Sequence, residues 1–291
     1  MKHFTGILLI AISAASFGTL AIFSKFLYED GLDIFNILFL RFGIAAFLML
    51  VIQLARREKF PRGKILLQLM CMGALGYVGQ SFSYLTAIKY ASAGLVALLL
   101  YLYPMFVFLL SVLVLHEKAT WVKVVAILIA LLGTGLTVDP AGGQLPGILL
   151  AISAALIYSV YIIVGTNVMK YVSAVQSSVV IFASAGAVYG ILTAFSGIHP
   201  PATSRGWINI IGIVLVATVI PVITFLSGLE RIGPTHAAML STLEPVVTVL
   251  LAAWVFGERL QSIALLGGGM ILIAVIILTR GEASEVKEFA R

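Results

Sequence analysis

Gly6-Ile7-Leu8-Leu9, near the start of the chain, recurs as Gly147-Ile148-Leu149-Leu150. Just downstream, Ala11-Ile12-Ser13-Ala14-Ala15 recurs, one residue out of step, as Ala151-Ile152-Ser153-Ala154-Ala155. The same offset of 141 residues joins Pro104 to Pro245 and Glu117 to Glu258. Apolar sequence gives many chance matches, so the Pro and Glu pairs carry most of the weight. The offset divides the chain into a first repeat over residues 1–139, a second over 140–281 and a tail over 282–291.

What the repeat is made of follows from composition. The 291 residues are 61% hydrophobic and only 10% charged, with a mean hydropathy of +1.14. A soluble domain carries about 25% charged residues, and so few charges could not cover the surface of a water-soluble globule. This excludes a soluble enzyme, a nucleic-acid binder and a disordered chain, and leaves an all-α integral membrane protein. Crossing the hydrocarbon takes about 20 apolar residues. Ten apolar segments answer to that length, over residues 5–25, 33–55, 65–88, 93–115, 120–138, 146–168, 174–196, 207–229, 235–256 and 261–279. Charge, Gly or Pro separates them, as at Glu29-Asp30-Gly31, Arg56-Arg57-Glu58-Lys59, Asp139-Pro140 and Gly257-Glu258-Arg259. The first segment has the outline of a signal peptide, but its recurrence in the second half marks it as a retained helix.

Each repeat therefore holds five helices. An odd number brings the second half into the bilayer from the opposite side, an inverted repeat of the kind found in secondary transporters. Loop charge supplies an independent reading. With the N-terminus in the cytoplasm, Lys2, Arg56, Arg57, Lys59, Arg62, Lys64, Lys118, Lys123, Lys170, Arg231, Arg280, Lys287 and Arg291 face inward. Only Lys25, Lys89, Arg205 and Arg259 then face outward. An excess of Lys and Arg marks the cytoplasmic side, so both termini are expected there. The net charge of +6 reflects this bias, and nucleic acid is not expected as a partner. Cys71 is the single cysteine, and His3, His116, His199 and His236 are scattered. No cofactor or metal site is expected.

Polar groups in hydrocarbon are costly and usually face a cavity or a partner. Arg41 and Glu244 are the two charges deep inside expected helices. At 1.5 Å per residue they lie roughly 12 and 14 Å from the helix ends, near the midplane of a core about 30 Å thick. Glu244 reads as a proton or substrate-amine site, or as a neutral acid hydrogen-bonded to a neighbouring helix. Arg41 reads as a solute contact, as a clamp on backbone carbonyls, or as a side chain that snorkels outward. Pro104, Pro221 and Pro245 interrupt helices and deprive the carbonyls of Leu100, Ala217 and Ser241 of their usual donors. The pairing of Pro104 with Pro245 points to a binding site, because matched breaks in two halves do so in transporters.

Helical spacing gathers further polar groups. Tyr77, Gln80, Ser81 and Tyr84 share one face of the third helix, and Ser241, Glu244 and Thr248 one face of the ninth. Tyr101 and Pro104 share a face of the fourth, Tyr158 and Tyr161 one of the sixth. Tyr77, Tyr101 and Tyr158 are too deep for the interfacial aromatic belt. A tyrosine wall suits planar or amphipathic solutes, because each ring offers stacking and a hydroxyl. Gly186-x-x-x-Gly190 and Gly267-Gly268-Gly269 are read as close helix packing within the chain. The oligomeric state is left open.

These residues resemble a known family. Tyr101-Leu102-Tyr103-Pro104 with Glu117, Leu243-Glu244-Pro245-Val246 with Gly257-Glu258-Arg259, and Leu40-Arg41-Phe42 are similar in order and spacing to the drug/metabolite transporter superfamily, specifically its EamA group. The resemblance covers nearly the whole chain. It implies export of small metabolites, often amino acids or drugs, by alternating access through a central cavity of a bacterial inner-membrane protein. Its members that export aromatic amino acids suit the tyrosine faces. Two modes of transport stay open, coupling to protons at Glu244 and uncoupled facilitation. Tyr103 stands where the second half has Glu244, so a protonation switch would sit in one half only. A nucleotide-sugar carrier of the same superfamily would want several basic residues for phosphates, and only Arg41 is in place. An intramembrane enzyme lacks an Asp within any helix, and a receptor or scaffold lacks a sizeable soluble module.

Overall fold

The computed structural model describes residues 2–87, 90–91, 96, 99–137, 144–256 and 262–289. Lys89, Asp139, Pro140, Gly257, Glu258, Arg259 and Arg291 lie outside the described residues. The regular elements described are helices: α1 (Lys2–Phe17), α2 (Leu20–Glu29), α3 (Ile34–Ala55), α4 (Gly63–Cys71), α5 (Val78–Ala87), α6 (Tyr103–Val114), α7 (Trp121–Thr137), α8 (Leu145–Val168), α9 (Ala174–Ser196), α10 (Ser204–Val214), α11 (Ile220–Leu240), α12 (Leu243–Phe256) and α13 (Ser262–Phe289). Two π-helical turns, Met72–Tyr77 and Leu215–Val219, join α4 to α5 and α10 to α11.

Six helical stretches are long and apolar enough to cross a membrane: His3–Glu29, Ile34–Ala55, Gly63–Tyr84, Leu145–Val168, Ala174–Ser196 and Ser204–Leu240. Shorter apolar helices cover Tyr103–Val114, Trp121–Leu136 and Leu265–Ala274. Large apolar side chains stay exposed around the bundle, among them Phe47, Leu113, Phe195 and Trp254. Such a surface suits lipid and is costly in water.

Several expected boundaries move. The first segment is interrupted at Gly18-Thr19, between α1 and α2. Instead of a loop between the eighth and ninth segments there is one non-helical residue, Gly233, at φ 77° and ψ 170°. Glycine reaches positive φ without steric cost, and Pro234 behind it fits the first turn of the helix that resumes. The chain then breaks at Ser241-Thr242 before α12 begins. Beyond residue 281, where a tail is expected, α13 stays helical to Phe289.

Close backbone packing builds the frame. On α3 and α9, a Cβ added at Gly186 would stand 3.3 Å from the Gly43 nitrogen, and one at Gly190 3.0 Å from the Phe39 ring. Both ends of this pair are tied. At one end Gln176 Nε2 donates to the Lys59 carbonyl at 2.7 Å and Ser173 donates to Glu58. At the other, Asn36 Nδ2 donates to the Gly197 carbonyl at 3.0 Å and the His199 amide donates to Asn36 Oδ1 at 2.8 Å. Both helices start with proper caps. Asp33 accepts from the Phe35 and Asn36 amides, and Ser173 with Gln176 forms a capping box, each satisfying donors that a helix start leaves open.

The glycine motifs read as packing within the chain behave so in part, since Gly269 meets nothing within 4 Å. Besides Gly186 and Gly190, the Gly267 carbonyl lies 2.7 Å from a Cβ built on Gly133, where α7 meets α13. The first helix is a packed part of the bundle: Ile10 of α1 is fully buried, and a Cβ on Gly228 of α11 would stand 2.6 Å from it.

Candidate functional site

The breaks place the polar residues. At Pro104 and Pro245 the expected segments are interrupted, but by a turn ahead of each proline. A turn at Tyr101-Leu102 precedes α6, whose second residue is Pro104, and a turn at Ser241-Thr242 precedes α12, whose third residue is Pro245. Proline in a first helical turn removes no bond, because the N–H groups there have no intrahelical partner. The Ser241 carbonyl is satisfied by the Glu244 amide at 3.0 Å. Pro221 is different. It sits just beyond the π turn, and the Ala217 carbonyl that it leaves open accepts from Arg41 Nη2 at 3.1 Å. Arg41 Nε also donates to Thr218 Oγ1 at 2.5 Å. The clamp reading of Arg41 thus describes its contacts.

Aromatic rings run outward from that clamp as a continuous chain. The Arg41 guanidinium lies 5.0 Å from the centroid of the Phe42 ring. Phe42 stacks on Tyr189 at 5.9 Å and meets the edge of Tyr77 at 5.2 Å. Tyr77 meets Tyr161 at 5.7 Å, Tyr161 stacks on Tyr158 at 5.9 Å, and Tyr158 meets Tyr103 edge-on at 4.9 Å. Tyr101 lies 6.4 Å from Tyr103. These separations fall in the range of favourable aromatic pairs. Tyr103 and Tyr161 are buried, while Tyr77, Tyr84, Tyr101, Tyr158, Gln80 and Glu244 keep partial exposure. The Glu244 carboxyl is within electrostatic range of Arg41, Tyr77, Tyr84, Tyr101, Tyr103 and Tyr158. Residues from both halves of the chain thus converge on one place.

Not every expected residue joins in. Ser241 and Glu244 do not share an unbroken helical face, because the turn at Ser241-Thr242 separates them, and the Ser241 hydroxyl donates to the Ala237 carbonyl at 2.8 Å while lying beside Tyr103. Thr248 is spent on the carbonyls of Gly18, at 3.1 Å, and Glu244, at 3.0 Å. The Ser81 hydroxyl donates to Gln80 Oε1 at 3.3 Å. Tyr103, Phe42 and Tyr189 were not among the expected site residues. Tyr103 carried a signal, its match with Glu244 at the 141-residue offset. Its hydroxyl donates to the Ala238 carbonyl at 3.3 Å, across from α6 to α11. Among the described residues no group of three or more His, Cys, Asp and Glu side chains is placed to hold a metal ion.

A family comparison speaks directly to this arrangement. The model of the EamA-like transporter family matches residues 4–138 and again 145–280. The chain belongs to the EamA-like transporter family. Its relatives within the curated proteins carry transporter names. An uncharacterized transporter of Archaeoglobus fulgidus is 29% identical over 273 residues, 93% of this chain and 95% of that protein. The uncharacterized transporter YcbK of Bacillus subtilis is 24% identical over 93% of this chain and 91% of its own. The uncharacterized inner membrane transporter YedA of Escherichia coli is 25% identical over 83% of this chain and 80% of its own. A protein of known crystal structure shares the fold with a TM-score of 0.82, at 21% identity, over 95% of this chain and 97% of the other. As a member of the EamA-like family the chain is a membrane transporter of the drug/metabolite superfamily.

Proposed function

We propose that this EamA-like protein exports small zwitterionic metabolites, amino acids with aromatic side chains foremost, by alternating access across a bacterial inner membrane. The observation that carries the reading is the chain of tyrosine rings that runs from Arg41 to Tyr101 with Glu244 in electrostatic reach. A flat solute finds faces to stack on, and its ammonium finds a carboxylate in a low-dielectric setting where attraction is strong. A nucleotide-sugar carrier fits less well, because Arg41 already gives two donors to Thr218 and Ala217.

In this reading the chain is ten helices in two inverted five-helix repeats with both termini cytoplasmic. The two family matches and the π turns support it, since Met72–Tyr77 moved by 141 residues becomes 213–218 and overlaps Leu215–Val219. Halves alike but inverted can exchange conformations about a midplane site. Glu244 carries the coupling proton.

The test is counterflow and gradient-driven flux in proteoliposomes with a panel of amino acids. Aromatic amino acids should be exchanged, and an imposed proton gradient should accelerate their flux. Glu244→Gln keeps the shape but cannot ionise, so exchange should persist at a raised KM, the ammonium having lost its carboxylate, while the gradient loses its effect. A Gln variant that answers the gradient like wild type at equal expression removes the coupling role, and indifference to every aromatic amino acid removes the substrate class.

A further inference from the structure

We propose that Arg41 is a positioning residue. It supplies the hydrogen-bond donor that Pro221 withholds from its own helix, and it thereby fixes the π-turn region of α10–α11 against α3 beside the solute path. The proposal rests on reading the tyrosine face as that path.

The argument begins with the missing donor. At the end of the π turn the Ile220 amide reaches back five residues to the Leu215 carbonyl. The next residue is Pro221, which has no N–H and is buried. In α-helical register the donor to the Ala217 carbonyl would be the amide of residue 221, which proline lacks, and Ala217 is fully buried. A buried acceptor without a donor is costly, more so where no water is at hand. Arg41 fills the gap from another helix: Nη2 reaches Ala217 at 3.1 Å while Nε reaches Thr218 Oγ1 at 2.5 Å. Thr218 passes the bond on, donating to the Ile213 carbonyl at 2.7 Å. On the other side of the break, Ser13 Oγ donates to the Pro221 carbonyl at 2.8 Å. The side chain from α3 thus stands in for the missing helical donor, and the one from α1 adds a bond to the Pro221 carbonyl.

The geometry also explains why arginine stands here. The two acceptors belong to adjacent residues, and a planar fork with fixed donors serves both, whereas a lysine ammonium is a point charge on a flexible stem. The guanidinium lies against the Phe42 ring, which is itself wedged between Tyr77 and Tyr189. Arg41 therefore locks three things together: the break in α10–α11, the first ring of the aromatic chain, and a fixed positive charge within electrostatic range of Glu244.

The test turns on restoring the missing N–H. Pro221→Ala returns a backbone donor to the Ala217 carbonyl, so it should make Arg41 less necessary. Full-length wild type, Arg41→Met, Arg41→Lys, Pro221→Ala and Arg41→Met/Pro221→Ala are compared by melting temperature in detergent and by the KM of L-tyrosine counterflow. Arg41→Met should lower the melting temperature and raise KM, and Arg41→Lys should do so nearly as much despite keeping the charge. The double variant should recover more than half of both losses. If Arg41→Met gives no folded protein, folded yield regained on adding Pro221→Ala is the supporting result. No recovery of melting temperature or yield overturns the proposal. Recovery of melting temperature without recovery of KM also overturns it, since Arg41 would then act on the solute itself. Should wild type carry no L-tyrosine, the proposed substrate class falls while the melting comparison still decides whether Arg41 serves the Ala217 carbonyl.

Discussion

Thr235→Val should loosen one end of the transporter. Thr235 is fully buried, just after the kink at Gly233, and its hydroxyl donates to Glu117 Oε2 at 2.8 Å. The same oxygen pairs with Lys123 at 3.4 Å. Glu117 belongs to the first family match and Thr235 to the second, so this bond crosses between the halves. A hydrogen bond to a charged group contributes about 1.5–3 kcal/mol. The Glu117 side chain is 22% exposed, which places the loss near the lower figure, about 1.5 kcal/mol. Valine matches the shape of threonine, so little packing is lost. If the bond exists only while this end is closed, losing it shifts the balance toward opening by about tenfold, at 1.4 kcal/mol per factor of ten. The assay places a cysteine at Gln80 in a Cys71→Ala background and times its labelling by an impermeant maleimide in inverted and right-side-out vesicles. Labelling from the Glu117 side should quicken about tenfold, and labelling from the other side should slow. Glu117→Gln keeps an acceptor for Thr235 and should change the rates much less. Labelling rates in Thr235→Val equal to wild type from both sides would refute a closing role for the bond.

Two further outcomes concern stability. Gly133→Ala places a Cβ 2.7 Å from the Gly267 carbonyl, a backbone atom that cannot step aside, and should cost about 1–3 kcal/mol as overpacking does. Gly269→Ala meets nothing within 4 Å and should leave the detergent melt unchanged or slightly raised. Asp33 caps α3 outside the apolar span. Burial raises its pKa, but hydrogen bonds from the Asn36 side chain and from the Asn36 and Phe35 amides outweigh that and hold it below the ordinary 3.8. A depressed folded pKa gives stability that is complete above the ordinary value and lost as pH falls through the folded one. Asp33→Ala should therefore destabilise by about 0.5–2 kcal/mol at pH 7, with the difference closing below the ordinary value in melts taken at descending pH. A gap that persists at the lowest pH would show that the cap does not act through its charge.

The parts of this fold that were legible were those with a local physical signature. Apolar runs bounded by charge gave the long helices, since hydrocarbon thickness sets their length. The apolar runs opening at 33 and 174 marked the starts of α3 and α9, and the structure adds the caps, Asp33 and Ser173, that serve the open donors there. What was not legible is which faces meet. The apolar helices of a bundle look alike on the lipid side and the protein side, so hydrophobic periodicity, which orients a helix in water, is nearly silent here. Polar residues carry the remaining information, but each hydroxyl has two kinds of partner. Spacing puts Ser241 and Thr248 on one face with Glu244, yet both bond to backbone carbonyls, a choice made by rotamer and invisible in sequence. Ser13 likewise bonds a backbone carbonyl, that of Pro221 at 208 residues' distance, as Thr248 bonds that of Gly18 at 230. The prolines show the same limit. Three identical residue types gave one expectation, an open carbonyl four residues back. At Pro104 and Pro245 the chain avoids the problem by starting a new helix at a turn. At Pro221 the helix goes on, and the open carbonyl has to be met from outside. Sequence could say where a bond would be missing; only the approach of α3 decides that a guanidinium replaces it. Arg41 read alone was ambiguous between clamp and solute contact, and it is the bond lost at Pro221, 180 residues later, that separates the two.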